Sequence, residues 1–140
     1  MKTGILLVLL FGIIIWNSCN DITKGYLETG EAEYAKDTLW VTFDPDSRDS
    51  IPYQSQQVQG IIGTSPIHYG VAAVRDATGK AVPDQIASQV WVVLKGVFRI
   101  EKNHTIPVGT YTIDLRVWNL GRSFVLPGIY TVVVREKEVS

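Results

Sequence analysis

From residue 37 onward the chain is written in short runs of alternating hydrophobic and polar positions. In "TLWVTF", residues 38 to 43, Leu39, Val41 and Phe43 alternate with Thr38, Trp40 and Thr42. That is the period of a strand with one face on a core and the other turned outward. "GTYTIDLRVWN", residues 109 to 119, places Tyr111, Ile113, Leu115 and Val117 on one side and Thr112, Asp114, Arg116 and Trp118 on the other. A slip of one residue would bury Asp114 and Arg116, so the register is strongly determined. Further strands are predicted at 58–62, 66–76, 89–101 and 129–138, the long one divided by Gly96 as a bend or bulge. Pro107-Val108-Gly109 and Pro127-Gly128 predict turns, the second of type II. "DATGK" and "VPDQ" mark an excursion before the strand at 89. No long helical period competes. About seven strands in about 100 residues predict an all-β domain over 37–140, two antiparallel sheets packed as an immunoglobulin-like sandwich.

The N-terminal residues follow another pattern. Met1 and Lys2 precede an apolar stretch from Gly4 to Trp16. At ~1.5 Å per residue a helix of that length spans about 20 Å, short of the roughly 30 Å of a hydrocarbon core. A basic start, a short apolar run and a small residue before the cut describe a segment removed on export. Residues 1–18 therefore read as a signal peptide. Asn17-Ser18-Cys19 resembles the lipobox of bacterial lipoproteins, in which the cysteine takes a diacylglyceryl thioether and becomes the first mature residue. Cys19 is the only cysteine in the chain, and lipidation consumes a thiol that would otherwise be a liability after export. The resemblance implies a membrane partner reached through acyl chains on Cys19. Residues 19–36, containing "NDITKGYLETGEAEYAK", are polar and read as a lipidated N-terminus and flexible linker.

Charge and chemistry narrow the function. The net charge is −1 and no cluster of Lys and Arg stands out, so nucleic acid is not an expected partner. A single cysteine makes no disulfide and no thiolate metal site. The acidic loop "DPDSRDS" carries Asp44, Asp46 and Asp49, but Pro45 and Arg48 interrupt it and it reads as a solvated turn, not a metal cage. His68 and His104 have no neighbour in sequence that would make a nucleophile and base. No enzyme, cofactor or metal is expected.

Aromatic residues give the better clue. Trp40 and Trp118 occupy positions where alternation calls for a polar residue, and a flat apolar ring there can stack on a sugar or anchor a partner. "DTL" and "DSI" resemble the Asp-Ser/Thr-aliphatic sequon for O-glycosylation in Bacteroides-type bacteria, with Thr38 and Ser50 as acceptors. "IIGTSPIHYGV", "GVFRIEKNHTIPVGTYTIDLRVWN" and the closing "IYTVVV" are similar to the cadherin-like and immunoglobulin-like modules of bacterial surface proteins. The cadherin calcium motifs are absent, so calcium-dependent adhesion is not implied. Lipobox, linker and sandwich together resemble surface lipoproteins of Bacteroides-type bacteria. That resemblance implies a cell-envelope protein, anchored at the outer membrane, acting as a non-catalytic binding module for a glycan or surface partner. The alternative is a structural component of an envelope complex that binds only protein.

Overall fold

The computed structural model describes residues 25–138. Cys19 and the signal peptide lie outside the described residues. The described residues form eleven strands, β1 Leu27–Glu28, β2 Glu33–Tyr34, β3 Thr38–Phe43, β4 Tyr53–Gln54, β5 Val58–Gln59, β6 Ile62–Gly63, β7 His68–Arg75, β8 Val90–Val93, β9 Val97–Ile100, β10 Gly109–Asn119 and β11 Arg122–Glu136, with a helical turn, α1 Asp84–Ala87, between β7 and β8. A four-stranded sheet in the order β3-β11-β10-β7 packs on a three-stranded sheet in the order β4-β9-β8. The all-β sandwich thus stands, with one departure from the expected antiparallel pairing. β3 runs parallel to β11.

The core lies between the two sheets. The larger sheet supplies Val41, Val74, Tyr111, Ile113, Leu115, Val117, Tyr130, Val132 and Val134, and the smaller one Val90, Phe98 and Ile100. Every one of the four β10 residues expected to face inward is buried. Phe98, Tyr130 and Tyr34 form an aromatic cluster with ring centroids 4.9 to 5.4 Å apart, a spacing that suits tilted ring pairs. Burial away from water pushes the Tyr130 phenol up to about 12. At the entry to β10 the Tyr111 hydroxyl donates to the Pro107 carbonyl at 2.8 Å. A tyrosine bonded to backbone a few residues upstream is the corner device of many sandwiches.

Five expectations need correction. The stretch taken as linker is, over its described residues, part of the fold: β1 pairs with β6 and β2 with β5. Leu27 and Tyr34 are buried there, and the Tyr34 hydroxyl donates to the Gly96 carbonyl at 2.6 Å. The strand predicted at 58–62 is broken into β5 and β6 by Gly60, whose φ of +80° and contact with the Glu31 carbonyl leave no room for a Cβ. Gly96 does not merely bend one strand. Lys95 and Gly96 both have positive φ and reverse the chain, so that β8 and β9 form a hairpin.

Pro127-Gly128 is likewise not a reversal. The reversal lies at Leu120-Gly121, between Asn119 and Arg122, and β11 continues through Pro127 as a bulged strand. Ile113 pairs with Tyr130 and Leu115 with Leu126, so residues 127 to 129 face Asp114 alone. On the other side Asp114 pairs with Ala73 and Leu115 with Val71, so β7 slips at the same level. Asp114, expected on the outward face, is thereby buried to 4% exposure. Its carboxylate accepts the Gly128 N–H at 2.8 Å and the Arg75 Nε at 3.1 Å. A bulge explains why a glycine with positive φ and a proline sit inside a strand.

Candidate functional site

The outward face of the large sheet carries both predicted tryptophans, at opposite ends. Trp40 pairs with Val133, and Val133 with Thr110. Trp118 lies eight residues further along β10, which at ~3.3 Å per residue separates the two rows by roughly 26 Å. A ligand touching both would have to span that distance.

Trp40 stands on β3, the edge strand, with 54% of its surface exposed. The Arg135 guanidinium stacks over the ring 4.0 Å from its centroid. Together with Thr42, Glu136 and Glu138 these residues line an open groove of about 310 Å³. The groove therefore joins one flat apolar surface to a cation, two carboxylates and a hydroxyl. Nothing in sequence joins Trp40 to Arg135. They meet because Trp40 pairs with Val133 across the sheet, and Arg135 lies two residues further on the same face.

Two residues along β3, the edge is sealed. The Thr42 N–H donates to the Tyr53 hydroxyl at 3.1 Å, and the Thr42 carbonyl accepts from His104 Nε2 at 2.9 Å. His104 is buried at 2% exposure, and its Nδ1 accepts the Ile106 N–H at 3.1 Å. An N–H aimed at Nδ1 requires a lone pair there, so the ring is neutral with its proton on Nε2. Burial holds the His104 pKa below the ordinary imidazole value, against a smaller upward effect of the Thr42 bond. Both ring nitrogens are thus occupied by backbone, and His104 serves the fold.

Trp118 is half-buried. Its ring lies across Gly70, where a Cβ would come within 3.1 Å of it. His68, its partner across the strands, stacks on it with centroids 5.4 Å apart, and Arg116 sits 4.5 Å from the ring centroid. A groove of about 240 Å³ opens beside it, bounded by His68, Val93 and Leu94 of the β8–β9 hairpin. Trp91, half-buried, pairs with Arg99 on the side of β8 opposite Val90 and Val92.

The remaining predicted positions are distributed around the fold. Thr38 is half-buried at the start of β3, its hydroxyl donating to Asp37 at 3.1 Å. Ser50 is exposed in the loop before β4. In the acidic loop Asp44 pairs with Lys137 at 3.4 Å and Asp49 with Lys102 at 3.7 Å. Among the described residues no group of three or more His, Cys, Asp or Glu could hold a metal ion. No helix among them is long and apolar enough to cross a membrane.

No family model matches the chain, and no curated protein matches it. Among solved structures the chain is similar to a SusE-like, surface-located polysaccharide-binding protein from the Bacteroides thetaiotaomicron heparin utilisation locus, at 18% identity and a TM-score of 0.44. The match covers 75% of this chain and 15% of that one.

Proposed function

We propose that the protein is a non-catalytic binding module of the cell surface, lipid-anchored through Cys19 at the outer membrane, that takes a glycan on the Trp40 groove. The carrying observation is an indole more than half exposed, held in place by Arg135 and flanked by Thr42, Glu136 and Glu138. Leaving an indole in water forgoes a burial worth roughly 2 to 3 kcal/mol. The C–H face of a sugar ring recovers part of that on the open side of the indole, while the neighbouring charged groups meet its hydroxyls. It is this groove, not the likeness to a polysaccharide-binding protein, that supports the reading. Thr38 lies two residues from Trp40 on the same side of β3, so a sugar attached to Thr38 would stand beside the groove, whereas one on Ser50 would not border it.

Titration of a panel of soluble polysaccharides tests the proposal. Trp40→Ala should lose binding with its melting temperature within a few degrees of the parent. A lowered melting temperature with unchanged binding would assign Trp40 to the scaffold. Cys19→Ala should lose radioactive acyl label, and equal label on the variant would end the anchor. A second reading, a structural component binding only protein, is favoured by β3 itself. It has a partner strand on one side alone, and at Trp40, short of the bonds that close the edge at Thr42, an extended peptide can add.

A further inference from the structure

The end of the sandwich opposite Trp40 collects exposed apolar side chains. Leu120 is 84% exposed at the tip of the β10–β11 hairpin, followed by Phe124 and Val125. Ile62 lines a groove together with Phe124, and Leu94 lines the groove beside Trp118. Tyr26 is exposed as well. Leu120 at the hairpin tip stands almost wholly in solvent, with Phe124 and Val125 behind it on opposite faces of the sheet.

The same end is where the chain enters the fold. The Tyr26 carbonyl accepts from Asn119 Nδ2 at 2.8 Å, and the Tyr26 N–H donates to Thr64 Oγ1 at 3.1 Å. A Cβ on Gly25 would lie 3.4 Å from the Leu120 carbonyl oxygen. Five residues lie between Cys19 and Gly25, six steps of the chain. At 3.3–3.6 Å per residue these six steps span at most about 22 Å. An acylated Cys19 therefore keeps the Leu120 tip close to the lipid headgroups, whatever path the intervening residues take.

We infer that this end docks on the lipid bilayer, with Leu120 at the hairpin tip entering the interface and Trp118, just behind it on β10, lying at headgroup level. The inference rests on the anchor proposed for Cys19. The chemistry suits such a depth. Trp and Arg at the margin of an apolar tip match the boundary between acyl chains and headgroups, and Arg116 and Arg122 flank Trp118 and the hairpin reversal. Docking also fixes orientation, since the Trp40 row then points away from the membrane.

The acylated full-length protein in phosphatidylcholine vesicles with dibrominated acyl chains provides the test, through quenching of tryptophan fluorescence. Quenching is expected in the parent, retained in Trp40→Phe, and at least halved in Trp118→Phe and in Leu120→Asp, all four proteins still floating with the vesicles. Flotation without quenching, or quenching insensitive to Leu120→Asp, overturns docking while leaving the anchor in place. Loss of quenching in Trp40→Phe would put the wrong end on the membrane. Quenching that vanishes when the protein is diluted in the bilayer would mark a second copy as the occupant. A parent that does not float overturns the anchor and this inference with it.

Discussion

Asp114 is the point at which both neighbouring strands slip, and its replacement separates two contributions. The Arg75 side chain is 44% exposed and also donates to the Gly79 carbonyl. Losing its carboxylate partner should therefore cost under about 1 kcal/mol, as for other exposed ion pairs. The Gly128 N–H donates to the same carboxylate at 2.8 Å, and a hydrogen bond to a charged acceptor contributes about 1.5–3 kcal/mol. Asp114→Ala removes both and should cost about 2 to 3 kcal/mol, lowering the melting temperature by roughly 10 °C for a domain of this size. Asp114→Asn keeps an oxygen for Gly128 and should cost about 1 kcal/mol or less. Urea titration followed by circular dichroism compares the three proteins, with the slope checking that the transition is unchanged. If Asn is as harmful as Ala, the ion pair and not the Gly128 bond holds the bulge. If Ala is neutral, Asp114 is only accommodated there.

Two further outcomes follow from the same structure. Ile113 is fully buried while Thr112 faces outward, so Ile113→Asp should abolish the cooperative unfolding transition and Thr112→Asp should cost under about 1 kcal/mol; equal tolerance in thermal melts would refute the register. His104 is held neutral in the fold with its pKa lowered by burial, so between that pKa and about 6.5 the unfolded chain binds more protons and stability falls as pH falls. The urea midpoint should drop between about pH 7.5 and about pH 5.5, more in the parent than in His104→Gln; an identical drop in both would assign it to other groups.

The parts of the fold legible in sequence are those where one face meets the core along a whole strand. β3 and the inward positions of β10 follow directly from alternation. The first half of β11 escaped because "PG" ordinarily signals reversal, and what straightens it is Asp114, a carboxylate from the adjacent strand. The β10–β11 reversal at Leu120-Gly121 carries no proline to mark it, and the Asn119 amide at the end of β10 donates to the Tyr26 and Thr64 carbonyls, far away in sequence. Leu27 and Tyr34 are isolated apolar residues among polar neighbours, so no period marks them. Their strands exist through pairing with 58–63 and through Tyr34 filling space beside Phe98 and Tyr130. Of the site, the tryptophans were visible as violations of alternation, whereas Arg135 over Trp40 and His68 over Trp118 are products of cross-strand register.

That register also decides how the two tryptophans differ. β10 and β11 pair along nearly their whole length and form the spine of the large sheet, so the distance between the Trp40 and Trp118 rows is set by strand length and not by a hinge. At the Trp118 end, Gly70 admits the ring against the sheet, and His68 and Arg116 cover more of it. At the Trp40 end the side chain sits on an edge strand, where no neighbouring strand can cover its outer flank and only Arg135 stacks on it. The same residue type is therefore a partly covered ring at the end where the chain enters and an open platform at the other. The tether proposed at Cys19 would make that difference matter, because it would leave the open platform as the end turned away from the membrane.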